Sequence, residues 1–165
     1  MNKKSILSFL FLLFFAYTVG SQTINMDEPV VGKVWSIEKA NNWYNSQKWI
    51  VGADFIPSTA INQLEMWQKN TFDTTTIDRE LGWAQNIGFN TMRVYLHSIA
   101  WKEDPSGFKN RVSKYLSIAS RHHIKTIFVF FDDCWNKVPV AGKQPAPKPG
   151  IHNSGWVQDP GDPMS

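Results

Sequence analysis

Three short apolar segments are separated by stretches of helical periodicity. The segments at 49–55, 91–96 and 126–131 are rich in β-forming residues and are bounded by turn residues, so we expect each to be a buried strand. Their starts at 50, 91 and 126 are 41 and 35 residues apart. One helix in each interval gives the period of a βαβ unit, which predicts a parallel sheet with right-handed crossovers.

The two intervals carry the apolar spacing of amphipathic helices. The first helix has either Asp73 or Thr76 as its N-cap and ends before Gly88, a typical helix stop. After the second helix we place His123 in the turn, because His tolerates left-handed backbone better than most non-glycine residues. The apolar positions are Ile77, Leu81 and Ala84 in the first helix, and Phe108, Val112, Tyr115, Leu116 and Ala119 in the second.

Parallel βα units of this kind build two α/β architectures. One is an open doubly wound sheet, and the other is a (β/α)8 TIM barrel, which closes after eight repeats over about 250 residues. Three strands cannot close a barrel. We therefore expect residues 49–165 to form only about the first three βα units of a truncated barrel domain, preceded by a polar leader at 22–48.

Residues 1–21 have the layout of a secretory signal peptide. Lys3 and Lys4 precede an apolar run that ends in the small residues Gly20 and Ser21. A single membrane anchor is the alternative, but the run is short for a bilayer span. We therefore expect a secreted or periplasmic protein without membrane contact after cleavage. Removing the two lysines lowers the formal net charge from +3 to +1, a value that does not indicate a nucleic-acid partner.

A long irregular loop is predicted from Val138 onward, where prolines and glycines alternate and no periodicity remains. Loops of this length are usually functional or disordered, and the presence of His152, Asn153 and Trp156 argues for function. The single cysteine, Cys134, has no partner for an internal disulfide. We therefore expect packing rather than crosslinks to hold the domain together.

Candidate binding residues follow the strands, because ligands of parallel α/β folds lie at the carboxyl ends of the strands. Their polar groups and indoles suit an uncharged sugar, whose hydroxyls take hydrogen bonds and whose C–H face packs on an aromatic ring. Arg93 lies within a strand, where an unpaired charge is costly, so we expect it to face a carboxylate. The other candidates are Glu65 and Trp67 after the first strand, His97 after the second, Asp132, Asp133 and Trp135 after the third, and Asn153 and Trp156 in the loop.

Each candidate also has a structural interpretation. Asp133 could cap a turn, Trp156 could pin the loop, and Arg93 could form an ion pair unrelated to a site. We treat His122 as a surface residue, since it precedes the third strand rather than following it. Five tryptophans also fit the interior or the ends of a barrel, namely Trp35, Trp43, Trp49, Trp67 and Trp83.

Motifs of several other enzyme classes are absent from the sequence. There is no glycine-rich dinucleotide or phosphate loop, no His-Glu-x-x-His and no Gly-x-Ser-x-Gly, so dinucleotide, NTP, zinc-protease and serine-hydrolase functions lack support. Asp132, Asp133, Cys134 and His152 match no metal-ligand spacing. We therefore expect neither a cofactor nor a metal ion.

Several motifs resemble those of a known enzyme group. The segments 88–97 and 124–133, with glycine, Phe-Asn-Thr and Arg in that order in the first, are similar to the second and third strands of the cellulase-like clan of (β/α)8 glycoside hydrolases. Residues 57–67, 131–135 and 152–156 resemble secreted bacterial hydrolases of the cellulase-family or 1,4-β-xylanase-like type. The resemblance is more specific for the clan than for the substrate.

What this resemblance implies is hydrolysis of O-glycosidic bonds in a β-linked polysaccharide of the cellulose, xylan or mannan type. The clan uses a retaining mechanism with two glutamates, whose carboxyl groups lie about 5 to 5.5 Å apart. Neither glutamate has a matching position here, so we expect both beyond Ser165 and expect this chain alone to be inactive. The resemblance further implies that Arg93 orients the nucleophile and that Asp132, Asp133 and Trp135 line sugar subsites.

Two other functions stay open on the residues alone. One is a non-catalytic carbohydrate-binding protein that uses Trp135 and Trp156 as a platform. The other is an open α/β domain that binds a small ligand. One residue departs from the resembled group, because His123 stands where such proteins often have glycine in a His-Gly-Ile turn. We expect this departure to lower local stability rather than to change function.

Overall fold

The computed structural model describes residue 32 and residues 34–161. The predicted signal peptide, 1–21, and most of the first half of the predicted leader lie outside the described residues. The chain divides into two compact units, Met1–Asn41 and Asn42–Ser165. The boundary falls within the first helix, α1 (Ile37–Asn45), which forms inside the predicted leader. Every strand that the structure describes belongs to the second unit.

The second unit is a mixed α/β structure built on a three-stranded parallel sheet. Its strands are β1 (Gly52–Asp54), β2 (Thr91–Tyr95) and β3 (Lys125–Val129), in the spatial order β1-β2-β3. Thr91 of β2 lies opposite Gly52 on one side and opposite Lys125 on the other. The predicted α/β class and the parallel order of the strands are therefore confirmed.

Each connection between strands contains two helices, whereas the sequence predicts one. The first connection carries α2 (Gln63–Trp67) and α3 (Thr74–Asn86), and the second carries α4 (Ser98–Glu103) and α5 (Pro105–Arg121). The prediction is wrong because α2 and α4 have only five and six residues, too few to show a helical period. Among the described residues, no helix is long and apolar enough to cross a membrane.

The ends of the longer helices follow from local chemistry. Asp73 is the N-cap of α3, and its carboxylate accepts hydrogen bonds from the backbone N–H groups of Thr75 and Thr76 at 3.0 and 3.1 Å. Gly88 follows α3 with a φ of +94°, as expected for a glycine stop. His123 follows α5 with a φ of +56°, so its predicted place in a left-handed turn is confirmed.

The core lies between one face of the sheet and the helices α3 and α5. Met92 and Val94 of β2 point into it, against apolar positions of both helices, which include Ile77, Leu81, Tyr115 and Ile118. The side chains that alternate with Met92 and Val94 point away from the core. This arrangement covers one face of the sheet and leaves the other face open.

The strands are consequently less buried than predicted. All three residues of β1 are exposed, Trp49 before it is 83% exposed, and Phe131 beyond β3 is 65% exposed. Runs of apolar residues in parallel strands are typical of sheets that are covered on both faces. No described element covers the second face here, and the prediction of a buried strand is therefore wrong for β1, whereas Thr91, Met92 and Val94 of β2 are buried.

Candidate functional site

An ion pair joins β1 and β2 on the open face of the sheet. Asp54 lies opposite Arg93 in the register of the strands, and the guanidinium is bidentate, with Nε 2.5 Å from Asp54 Oδ1 and Nη2 2.9 Å from Oδ2. The hydrogen bonds with Asp54 raise the pKa of Arg93. The predicted carboxylate partner of Arg93 is thus confirmed, but the predicted burial is wrong, since the side chains of both residues are about half exposed.

Four rings form a continuous aromatic surface beyond the end of β2. The ring of Tyr95 meets that of Trp156 edge to face with centroids 6.0 Å apart, Trp156 is 6.1 Å from Trp135, and Trp135 is 5.6 Å from His152. Tyr95 in turn lies beneath the guanidinium of Arg93, at 5.2 Å. The aromatic surface, Tyr95, Trp135, His152 and Trp156, is therefore continuous with the charged pair of the sheet.

The loop backbone presents the aromatic surface in a strained conformation. Trp135 has a φ of +77° and Asn153 a φ of +49°. A bulky residue rarely occupies the left-handed region, and such strain is held in place by surrounding contacts. The side-chain amide of Asn136 supplies two of them, donating to the carbonyl oxygens of Ser154 at 3.2 Å and Trp156 at 2.7 Å. Trp135 remains 38% exposed, so its indole is accessible to a ligand.

Two aspartates follow β3 along the chain and precede Trp135 of the aromatic surface. Asp132 is partly buried, and burial is the main cause that raises the pKa of its carboxyl group, while the charge of Arg93 acts in the opposite direction. Its carboxylate also accepts a hydrogen bond from the backbone N–H of Cys134 at 3.3 Å. Asp133 is exposed and accepts a hydrogen bond from the side chain of Gln158 at 2.6 Å. A hydrogen bond with the side chain of Trp135 acts to lower the pKa of Asp132, so the carboxylate of Asp132 lies beside the aromatic surface.

The long loop that carries these residues is tied to the segment after β1. The side chain of Asn62 donates to the carbonyl of Gly155 at 2.8 Å, and that of Gln63 donates to the carbonyl of Val157 at 2.5 Å. Asn62 and Gln63 are 0% and 2% exposed. Buried amides that pair with backbone carbonyls hold a loop firmly. The loop is irregular, as predicted, and it packs against the carboxyl ends of the strands.

Comparison of the chain with protein-family models, with curated proteins and with solved structures found no match. The interpretation of the site therefore depends on its own geometry.

Three of the predicted binding residues have structural roles instead. Trp67 is 0% exposed and lies in the core, where its indole N–H donates to the carbonyl of Tyr95 at 2.7 Å. His97 is 1% exposed and caps α4 by accepting from the backbone N–H of Ile99. Glu65 accepts a hydrogen bond from the backbone N–H of Ile61 at 2.6 Å at the start of α2. Their side chains are covered or engaged in this structure, and contact of these three residues with a ligand stays a prediction.

Four of the other predicted residues come together as one group, since Arg93, Asp132, Trp135 and Trp156 are linked by the ring contacts of Tyr95 and by a hydrogen bond between Asp132 and Trp135. Asp133 contacts Gln158, and Asn153 lies in the loop, where its carbonyl accepts from the N–H of Trp156. The structure adds Asp54 and Tyr95, which the sequence analysis did not select. The alternation of strand residues could have found both, since Asp54 is the last residue of β1 and Tyr95 lies two positions after Arg93 on the same face.

The hollows of the surface do not all coincide with this group. A hollow of about 330 Å³ lies over the open face of the sheet and is lined by residues that include Asp54, Arg93 and Ile127. A larger hollow of about 720 Å³ lies at the opposite end of the sheet, between Trp43 and Leu116. We favour the strand-end group as the site, because ligands of parallel α/β folds bind at the carboxyl ends of the strands.

His122 has a structural role as well. His122 is only partly exposed, and its ring nitrogens lie 2.8 Å from Asp78 Oδ1 and 3.1 Å from Gln85 Oε1. It therefore ties the end of α5 to α3 instead of standing free on the surface. Within residues 34–161, no group of three or more His, Cys, Asp or Glu side chains is arranged to hold a metal ion.

Proposed function

We propose that this chain binds a β-linked polysaccharide, of the cellulose, xylan or mannan type, at the carboxyl ends of its strands. The observation that carries the proposal is the aromatic surface lying directly beside Asp132 and Arg93. Sugar rings pack their C–H faces on indoles, while their hydroxyls donate hydrogen bonds to carboxylates and accept them from guanidinium groups. Exposed Trp135 gives the aromatic contact, and Asp132, which hydrogen-bonds with its side chain, gives the carboxylate contact.

We further propose that the chain is part of a secreted (β/α)8 glycoside hydrolase. The sheet order and the one-sided cover of helices support a barrel, because barrel strands follow one another in sequence with all helices outside. The open face with Asp54 and Arg93 would then point into the barrel. Ile127 of β3 and Leu116 of α5, 48% and 41% exposed, would be covered by a following βα unit.

In this proposal the described residues bind and orient the substrate, and two glutamates elsewhere in the protein perform a retaining hydrolysis. The glutamates within residues 34–161 all lie on helices, namely Glu38 on α1, Glu65 on α2, Glu80 on α3 and Glu103 on α4. Arg93 would orient a catalytic carboxylate through the N–H groups that now bind Asp54. Asp132, whose pKa is raised by burial, would meet the sugar hydroxyls.

A non-catalytic carbohydrate-binding protein is the second candidate. The lack of a strand-end glutamate within the described residues favours it, because binding needs only the aromatic surface and its polar neighbours. An open α/β domain that binds a small ligand is the third, and the hollow over the open face is the feature that favours it.

Two assays on the purified protein separate these candidates. Native gels that contain soluble cellulose, xylan or mannan should retard the protein, and Trp135→Ala should abolish the retardation. Trp83→Ala is the matched control, because Trp83 is an exposed tryptophan on α3 that lies against Arg79 rather than in the aromatic surface. If none of the three polysaccharides retards either wild type or Trp83→Ala, both carbohydrate functions are excluded.

The second assay is reducing-sugar release from the same three polysaccharides. A hydrolase that depends on glutamates outside this chain should show no release with residues 1–165 alone and clear release when the protein includes them. The proposed division of roles would be contradicted if the 165 residues alone released reducing sugar and Asp132→Ala abolished that release. Asp132 would then be part of the catalytic group.

A further inference from the structure

The place of Asp132 is fixed by a residue at the far end of the loop. The backbone N–H of Asp132 donates to the carbonyl of Asp159 at 2.7 Å, and the N–H of Asp159 donates to the carbonyl of Asp132 at 2.8 Å. These two reciprocal hydrogen bonds form an antiparallel β-bridge between Asp132 and Asp159. Asp132 therefore moves only if Asp159 moves with it or if both hydrogen bonds break.

The side chain of Asp159 is itself anchored to the end of β2. Asp159 is 1% exposed, and its Oδ1 accepts from the backbone N–H of Ser98 at 3.1 Å and from the Ser98 hydroxyl at 2.5 Å. The same oxygen is 3.7 Å from Nδ1 of His97. A buried carboxylate is costly unless such contacts offset its loss of hydration. The contacts of Asp159 with Ser98 therefore tie the end of the long loop to the segment that follows β2.

We propose that Asp159 is a positioning residue of the carbohydrate site, held by Ser98 and acting through its backbone on Asp132. The inference rests on the proposed function for the identity of the ligand. Asp159 touches no ligand itself. Its effect on binding comes from presenting the carboxylate and the indole in one fixed arrangement, which lowers the entropy lost when a sugar binds.

A charge on His97 would loosen this anchor. Burial lowers the pKa of His97, while the carboxylates of Asp159 and Asp132 act to raise it. Protonation therefore favours states in which the imidazole reaches water and the loop leaves the end of β2. The charged groups of the neighbouring elements are engaged or exposed: Glu65 of α2 binds the N–H of Ile61, Arg93 of β2 pairs with Asp54, and Lys102 and Glu103 of α4 are exposed.

The first test compares two substitutions of Asp159 by calorimetric titration with cellohexaose, xylohexaose and mannohexaose. Asp159→Asn keeps an oxygen acceptor for Ser98 and should bind within about threefold of wild type, whereas Asp159→Ala should bind about tenfold more weakly. Asp73→Asn is the matched control, since Asp73 also accepts from backbone N–H groups, those of Thr75 and Thr76, but lies at the start of α3. A folded Asp159→Ala variant with wild-type affinity would overturn the inference.

A second measurement needs no ligand and covers the case in which Asp159→Ala does not fold. Hydrogen exchange at the amide of Asp132 should become about tenfold faster in Ser98→Ala, which removes only the hydroxyl donor, and should stay unchanged in Asp73→Asn. Lowering the pH from about 7.5 to about 5.5 should also speed this exchange beyond the intrinsic pH effect, and His97→Asn should remove that increase. Unchanged exchange in Ser98→Ala together with no His97-dependent increase would contradict the positioning role.

The titration and the hydrogen-exchange measurement distinguish failure of the proposed function from failure of the positioning role. If wild-type protein binds none of the three hexasaccharides, the proposed function fails, yet the exchange at Asp132 still decides whether Asp159 positions it. If the hexasaccharides bind and the exchange and affinity do not respond to Asp159 or Ser98, the carbohydrate site stands and the positioning role is wrong.

Discussion

The side-chain nitrogen of Asn62 donates a hydrogen bond to the carbonyl oxygen of Gly155 at 2.8 Å, across 93 residues of sequence. The same nitrogen donates to Gln144 Oε1 at 2.9 Å, and the side-chain oxygen caps α2 by accepting from the backbone N–H of Glu65 at 2.9 Å. One buried amide thus begins a helix after β1 and holds the long loop after β3. The loop that carries the aromatic surface is attached before any ligand arrives.

Asn62→Ala should lower the free energy of unfolding by about 2 to 3 kcal/mol, because it removes a helix cap and leaves two buried acceptors without a donor. Asp73→Ala removes a cap alone, at the start of α3, and should lower it by about 1 kcal/mol. Urea denaturation of both variants measures the difference. Equal effects of the two substitutions would mean that the loop contacts of Asn62 contribute nothing to stability.

Trp67→Ala should be among the most damaging substitutions in the chain. Trp67 is 0% exposed and packs against Phe72, Phe108 and Tyr115, so its removal should lower the free energy of unfolding by about 3 to 5 kcal/mol. Trp83→Ala, at a residue that is 58% exposed, should change it by less than about 0.5 kcal/mol. Chemical denaturation distinguishes the two, and a small effect at Trp67 would contradict its place in the core.

His123→Gly should stabilise the protein by about 0.5 to 1 kcal/mol, since glycine adopts the left-handed φ of +56° at this position without steric strain. Gly88→Ala is the reverse experiment. A Cβ at Gly88 would meet no atom within 4 Å, so its expected cost of about 1 kcal/mol comes from the φ of +94° alone. Thermal unfolding of both variants gives the signs, and a loss of stability in His123→Gly would disprove strain in this turn.

Stability should decrease as the pH falls below 6.5, and His97 should account for part of the decrease. Burial holds the pKa of folded His97 below its ordinary 6.5, so the unfolded chain takes up the proton first as the pH falls. The stability that neutral His97 contributes to the folded state is therefore lost between pH 6.5 and the folded pKa. Asp132 acts in the other direction above pH 3.8, because its raised pKa makes the folded state bind a proton first. Denaturation curves at about pH 7.5 and about pH 5.5 should differ less for His97→Asn than for wild type; an unchanged difference would contradict the role of His97.

The parts of the fold that could be predicted are those that local chemistry decides. Helix α3 has a periodic apolar face, an aspartate cap and a glycine stop, and all three are within 16 residues. The parallel order of the strands follows from the spacing between them, because a crossover of that length cannot form a hairpin. His123 could be placed in a left-handed turn from its position between a helix and a strand.

Burial could not be predicted in the same way, because it depends on which elements meet. Trp67 and Trp135 both follow a strand in sequence. The short helix α2 directs the side chain of Trp67 into the core, whereas a strained loop directs that of Trp135 outward. The partner of Arg93 depends on the register between β1 and β2, which the sequence of neither strand reveals. The contacts of Asn62 and Gln63 with the loop join segments more than 80 residues apart, beyond the reach of any local pattern.

The central claim is that the aromatic surface at the strand ends binds a β-linked sugar chain. Calorimetric titration of wild type, Trp135→Ala and Trp83→Ala with cellohexaose, xylohexaose and mannohexaose tests it most directly. We predict saturable binding of at least one hexasaccharide by wild type and by Trp83→Ala, and an affinity at least about tenfold lower for Trp135→Ala. Equal affinity of all three proteins, or no binding of any hexasaccharide by wild type, would contradict the claim.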